Sequence, residues 1–389
     1  MSEHALIFVI FLIFTGAAIF STVALVTRQS LLVAYMLLGM LLGPWSVKYM
    51  KDPSVIQTVG DVGIIFLLFL LGLNLPPQKL YHMLRKVSWV GFVSSLVFAI
   101  IGFAMGKLFS FGTIDSVIIG AAMMFSSTII GIKLLPTTIL HHQHTGEVMI
   151  SVLLFQDLIA IIVLLLIRAS TSTGSIVMDL LLVIIGFPVI LLFSYFFERV
   201  VLVRLFGKFN RVKEYVFLLA IAWCLSMAEL ASFLGLSAEI GAFIAGVSLA
   251  SSPISLYIAE SLKPIRDFFL VLFFFAVGAS FNLSFLHEVI IPALVLALIL
   301  FFVKPITFRV LLHQVQESKH VAWEVGVRLG QISEFSLIIA YVAIQSKLIS
   351  DATSYLIQAT AIISFIISSY MVVMRYPTPM ALSEKLRRD

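Results

Sequence analysis

The sequence predicts an all-α, polytopic membrane protein of about thirteen transmembrane helices, built as an inverted repeat with two crossing broken helices. Three observations lead there. The 389 residues are 61% hydrophobic and only 12% charged, with a mean hydropathy of +1.13. The apolar residues fall in runs of about 20, the length of helix that crosses a ~30 Å hydrocarbon core. Two of those runs are interrupted at mid-length by small and polar residues. Soluble domains carry about 25% charged residues, so an ordinary cytosolic enzyme is excluded. A disordered chain would show the opposite bias.

Only helices and closed barrels satisfy their backbone inside lipid, and runs this long and continuously apolar read as helices. The candidate spans are 5–26, 30–47, 54–74, 87–107, 114–135, 146–167, 175–198, 214–234, 237–250, 265–282, 288–312, 321–346 and 351–374. The first is too long for a signal-peptide core and follows an acidic N-terminus, so it is expected to be a retained helix. The ninth is the shortest, ended by Ser251-Ser252-Pro253. One transmembrane domain is expected over 1–374, followed by a cytoplasmic tail over 375–389 with no room for a nucleotide-binding domain.

An odd number of spans places the termini on opposite sides. With the C-terminus in the cytoplasm, 17 of the 25 Lys and Arg residues lie inside, five lie outside, and Lys133, Lys304 and Arg328 lie within spans. The positive-inside rule therefore predicts an external N-terminus and a cytoplasmic C-terminus, with a bacterial inner membrane as the expected location. The formal net charge of +5 is explained by these loops and implies no nucleic-acid partner. The single cysteine, Cys224, excludes an intrachain disulfide and a cysteine-based metal cluster.

The chain resembles itself at an offset of 206 residues. Phe66–Gly72 lies over Leu272–Gly278, and Ser126-Ser127-Thr128 lies over Ile332-Ser333-Glu334. The repeats run over about 30–167 and 237–374, and an odd offset in span number inverts one against the other. Inverted repeats are characteristic of secondary transporters, whose sites sit at mid-membrane where helices break. That directs attention to Ser126–Lys133 in span five and Gly330–Glu334 in span twelve. Each lies about 13 residues, or roughly 20 Å, from the start of its span. A lone serine would be read as bonding to its own helix. Two symmetry-related interruptions favour broken helices.

A carboxylate at mid-bilayer costs roughly 2.5–3.5 kcal/mol on insertion scales and needs a partner, a water cavity or a proton. Asp157 is the best isolated candidate, eleven residues into span six with apolar sequence on both sides. Desolvation favours its protonated form and nearby cations its ionised form, so it can exchange a proton for a monovalent cation. A buried ion pair or interhelical hydrogen bond is the structural alternative. Gln156 beside it offers a neutral carbonyl oxygen. Glu334, at similar depth, either pairs with a positive group or balances half-helix dipoles. Lys304 is a charge-compensating candidate: a structural salt bridge to Asp157 or Glu334, or a group that releases Asp157 when the cation arrives. Lys133 is a second, though it lies nearer the cytoplasmic end and can snorkel. Asp61, Glu229, Glu239 and Arg328 lie closer to span ends and read as structural, and Glu147 lies near the cytoplasmic mouth.

Other chemistry has little support. His141, His142 and His144 form a loop cluster that suits a metal or a pH sensor but reads more simply as a solvated loop. No phosphate-binding glycine motif and no Gly-x-Ser-x-Gly is present. No cofactor and no enzymatic activity are expected.

With these residues in place, the chain resembles the Kef-type members of the monovalent cation:proton antiporter-2 family over essentially all of its length. The resemblance is carried by Gly39-Met-Leu-Leu-Gly43-Pro44, Gly63 to Gly72, Ser126-Ser127-Thr128, Phe155-Gln156-Asp157, Gly235-Leu-Ser237, Gly241 to Gly246 and Glu334-Phe335. It implies an NhaA/NapA-like antiporter fold and a homodimer, each protomer having a dimerisation domain and a mobile core that moves like an elevator. It also implies K⁺ (or Na⁺) exchange for H⁺ at Asp157, with Gln156, Ser126, Ser127, Thr128, Ser333 and Glu334 around the ion. Asn74, Lys133 and Ser333 depart from the family pattern. The family's C-terminal nucleotide-binding domain is absent from the sequence, which is consistent with a short form, a separate soluble regulatory subunit or a truncated chain. The rival readings are a gated cation channel on the same scaffold and an organic-anion symporter.

Overall fold

The computed structural model describes residues 3–27, 29–46, 54–73, 77–133, 144–169, 176–209, 211–234, 236, 238–252 and 254–377. All regular structure among them is helical. The helices in chain order are α1 (Glu3–Thr27), α2 (Leu31–Leu42), α3 (Ser54–Leu73), α4 (Pro77–Leu108), α5 (Thr113–Met123), α6 (Thr128–Lys133), α7 (His144–Ala169) and α8 (Ile176–Phe197). A π-helical turn, Glu198–Leu202, leads into α9 (Val203–Phe209). Then come α10 (Lys213–Phe233), α11 (Ala238–Leu249), α12 (Ser255–Ser280), α13 (Leu286–Gln314), α14 (Lys319–Arg328), α15 (Glu334–Gln345) and α16 (Asp351–Arg375).

Each expected span coincides with one helix except the fifth and twelfth. Those two are broken, as the mid-span polar residues predict: α5 and α6 flank 124–127, and α14 and α15 flank 329–333. Among the described residues six helices are long and apolar enough to cross a membrane alone, and α2, α5, α15 and residues Ile240–Leu249 of α11 form shorter apolar helices. Lipid is the solvent this chain is built for. Ile100, Ile162, Leu192 and Phe302 are each more than half exposed, while Lys304, Asp157, Arg328 and Glu334 are buried. A water-soluble protein has the reverse arrangement.

The chain divides into two compact units. One comprises 52–82 and 165–276. Here α3 packs on α11 through glycines. A Cβ on Gly246 would overlap the Phe69 carbonyl oxygen, and one on Gly72 would overlap that of Phe243. Gly241 of α11 meets the Met227 carbonyl of α10 in the same way. Trp223 Nε1 donates to Ala245 O at 3.2 Å, and its ring stacks on Phe197 at 5.1 Å. Small residues at such crossings let backbones approach, which is how helices gain packing energy where lipid removes the hydrophobic drive.

The other unit comprises 1–51, 83–164 and 277–389, and it contains both broken helices. Gly326 of α14 lies against Pro305 of α13, where a Cβ would meet Pro305 Cα at 2.8 Å. The long helix α16 is fastened at both ends. At its start Asp115 Oδ1, in the first turn of α5, accepts from Ser350 N at 2.9 Å and from Thr353 Oγ1 at 2.6 Å. At its far end Arg328, the last residue of α14, donates from Nη2 to Pro377 O at 3.0 Å and stacks over Tyr376 at 5.2 Å. Arg328 Nε also donates to Glu324 Oε1 at 2.9 Å, so the buried guanidinium is paired.

Substituting Gly246→Leu forces α3 and α11 apart. The expected result is a loss of about 1–3 kcal/mol, read as a lowered melting temperature of the detergent-purified protein. An unchanged melting temperature would mean that the helices do not approach this closely.

Candidate ion site

The two interruptions end four half-helices inside the protein, and each end leaves backbone groups without intrahelical partners. The N-terminal ends are capped by the paired serines. Ser127 Oγ accepts from Ile130 N at 3.1 Å at the start of α6, and Ser333 Oγ accepts from Phe335 N at 3.1 Å at the start of α15. These two positions are 206 residues apart in the sequence, the offset of the internal repeat. The interruptions also bond to each other. Ser126 Oγ donates to Leu329 O at 2.9 Å, and Gln331 Nε2 donates to Ser127 O at 3.4 Å. Ser336 Oγ, in the first turn of α15, donates to Ala122 O at the end of α5.

Lys304 serves the C-terminal ends. Its ammonium donates to Phe125 O at 2.6 Å, to Gln331 O at 2.9 Å and to Ser126 Oγ at 3.3 Å. An ammonium has three donors, and all three are used. The Nζ also sits 5.1 Å from the Phe98 ring centroid. Neither alternative of a Lys304 salt bridge to Asp157 or to Glu334 is formed among the described residues. A cation at two helix C-termini is favoured by the carbonyl dipoles themselves, so main-chain oxygens replace the carboxylates as its partners.

Asp157 and Gln156 reach the first interruption from α7. Gln156 Oε1 accepts from Ser126 N at 3.0 Å, and its Nε2 donates to Met124 O at 3.3 Å. The side chain thus replaces the helical hydrogen bonds that the break removes. Asp157 Oδ2 accepts from Thr128 Oγ1 at 3.0 Å. Its other oxygen, Oδ1, is buried with no hydrogen-bond partner among the described residues. Glu334 is buried as the first residue of α15, near enough to act on Asp157 electrostatically. The carboxylate in the first turn also complements the positive end of that helix.

The structure therefore brings Asp157, Gln156, Ser126, Ser127, Thr128 and Lys304 into one bonded network, with Ser333 and Glu334 at the facing interruption. The side chains of Lys133, Asp61, Glu147 and Glu239, and all of Asn74, His141 and His142, lie outside the described residues. His144 is half-exposed, with Nε2 2.6 Å from Glu317 Oε2. Among the described residues no three His, Cys, Asp or Glu side chains group as a metal site. Ser368 and Ser364 escape the sequence reading, and Gln331 lies inside the window it marks, Gly330–Glu334, without being singled out. Ser368 Oγ donates to Gln331 Oε1 at 2.8 Å, and Ser364 Oγ accepts from Ile332 N at 3.1 Å. The available signals were a glutamine inside the second interruption and two serines four apart, hence on one face of span thirteen.

Comparison with known proteins bears on the fold and the family. K(+) efflux antiporter 5 of Arabidopsis thaliana is 28% identical over 384 residues, covering 96% of this chain. The chain spans 66% of that relative's length. The structure of the sodium proton antiporter MjNhaP1 from Methanocaldococcus jannaschii at pH 8 superposes with a TM-score of 0.69 at 16% identity, covering 100% of this chain and 99% of that one. A second structure of MjNhaP1, from electron microscopy, gives 0.63 at 18% identity over 96% and 94% of the two chains. The fold is therefore that of these antiporters. The family model for the transmembrane part of sodium/hydrogen exchangers matches residues 7–374. The chain belongs to the sodium/hydrogen exchanger family of membrane transporters.

Proposed function

We propose that this chain is a secondary active antiporter that exchanges K⁺ or Na⁺ for H⁺ by alternating access at Asp157. The observation that carries the reading is Asp157 Oδ1, a buried carboxylate oxygen without a hydrogen-bond partner among the described residues, in a network otherwise rich in hydrogen bonds. Leaving such an atom unsatisfied costs about 1–3 kcal/mol or more. A proton or a desolvated cation removes that cost, and one oxygen cannot serve both together. Mutual exclusion at one carboxylate is sufficient for coupling, because an empty site crosses the membrane less readily than an occupied one.

Lys304 supports one-for-one exchange. Its three donors are committed to Phe125, Ser126 and Gln331, so the charge on Asp157 is balanced by the passenger and not by the lysine. Oxygens of Thr128 and the open turns at 124–127 and 329–333 are the ligand type that replaces the hydration shell of an alkali cation. K⁺ as a substrate is supported by the name of the plant relative, and Na⁺ by that of the archaeal structure. The charge asymmetry of the loops supports an external N-terminus and a cytoplasmic C-terminus. A homodimer, with or without a separate soluble subunit, completes the proposal.

In vesicles holding a pH-sensitive dye, addition of K⁺ or Na⁺ should drive proton movement through the reconstituted protein. Asp157→Asn should abolish it, and wild-type exchange in that variant would sink the site assignment. Large currents at fixed pH, with no proton counter-flux, would point to a channel instead. Because proton and cation compete, lowering the pH should raise the half-saturating cation concentration. Lys304→Met strands the Phe125 and Gln331 carbonyls, so thermal stability should fall by about 1–3 kcal/mol for each stranded group. A melting temperature equal to the wild type would show that those carbonyls do not depend on the lysine.

A further inference from the structure

We propose that Gln331 is a positioning residue for the ion site, acting through the Ser127 carbonyl to set the first turn of α6 and with it the Thr128 hydroxyl on Asp157. The inference rests on the antiport reading above and adds a residue that it does not contain.

Gln331 is fully buried in the second interruption and is held on three sides. Its main-chain oxygen accepts from Lys304. Its side-chain oxygen accepts from Ser368 Oγ on α16 at 2.8 Å. Its side-chain nitrogen donates to Ser127 O at 3.4 Å. That same Ser127 oxygen accepts the helical hydrogen bond from Gly131 N at 3.1 Å, so the amide attaches where α6 begins. One residue further along, Thr128 Oγ1 donates to Asp157 Oδ2. The chain of contacts therefore runs from α16 through Ser368, Gln331 and Ser127 to Thr128 and the carboxylate.

The orientation of the amide is fixed chemically. A serine hydroxyl can serve the carboxamide oxygen as donor, and only the carboxamide nitrogen can serve a carbonyl. Reversing the amide would set its oxygen against Ser127 O, two acceptors facing each other. The Ser127 carbonyl, which can only accept, thus selects the arrangement in which Gln331 donates to the first turn of α6, and Ser368 holds it there by donating to the amide oxygen. The effect on the ion is through geometry, since Gln331 bonds to no carboxylate among the described residues. Its loss should weaken cation binding more than it slows translocation.

The experiment compares wild type, Gln331→Met, Ser368→Ala and the double variant in reconstituted vesicles, reading half-saturating K⁺ or Na⁺ concentration and maximal rate separately. Gln331→Met should raise the half-saturating concentration about tenfold, the scale of one lost buried hydrogen bond, with the maximal rate within about twofold. Ser368→Ala should shift it in the same direction by less. Because Ser368 acts through the amide, the double variant should match Gln331→Met alone, whereas two independent packing losses would add. Unchanged half-saturation in Gln331→Met, or additive effects, would overturn the proposal. Should Gln331→Met fail to fold, an unchanged Ser368→Ala overturns it equally. Stabilisation of the purified protein against heat by KCl or NaCl separates the two readings. If wild type binds the cation but moves no protons, the antiport reading fails. The positioning role then stands or falls on whether Gln331→Met needs about tenfold more salt for the same stabilisation.

Discussion

The ammonium of Lys304, wedged between two broken helices, is the interaction on which the site depends. Breaking a helix in a water-poor interior exposes carbonyls that lipid cannot satisfy. Two breaks side by side would be prohibitively costly without a donor between them. Lys304 supplies three N–H groups to that space, and the carbonyl dipoles in turn stabilise its charge. The serine caps Ser127 and Ser333 perform the complementary task at the amide ends. Once both sets of orphan groups are accounted for, the interruptions become stable architecture, and on the antiport reading their open turns supply oxygens to the ion.

The carboxylate gains its character from this economy. Among the groups around the first interruption, Gln156, Ser126 and Thr128 all have partners, and Asp157 keeps one oxygen in reserve. Glu334 adds a second buried carboxyl group at the facing interruption, placed where the dipole of α15 favours a negative charge. An arrangement of this kind keeps the attraction for a small cation high while restricting the contacts that hold it. Weak, few-point binding is what a transporter needs if it is to release its passenger on the far side.

Hydropathy made most of the helices legible, because a 20-residue apolar run has one plausible meaning at this composition. Both interruptions and Asp157 were also legible, since polar groups in a lipid-facing context stand out against Leu, Ile and Phe. The partners of Lys304 were not. Two of the three are main-chain carbonyls, at Phe125 and Gln331, and a carbonyl has no residue-type signature. Gln331 was hidden for a related reason: its repeat counterpart at the 206-residue offset is Phe125, so the internal comparison gave no polar pair to notice. The close crossings at Gly72, Gly241 and Gly246 could be suspected from glycine content alone, but which carbonyl each meets is a property of the fold.

The fastening of α16 has a mechanical consequence. Asp115 ties its first turn to α5, Ser364 and Ser368 tie its middle to the second interruption, and Arg328 ties its far end to α14. A 25-residue helix is about 37 Å of nearly inextensible rod. It works as a splint that runs from the start of α5, past the second interruption, to the end of α14. Any displacement that drew α5 or α14 away from this rod would have to snap at least one of these ties.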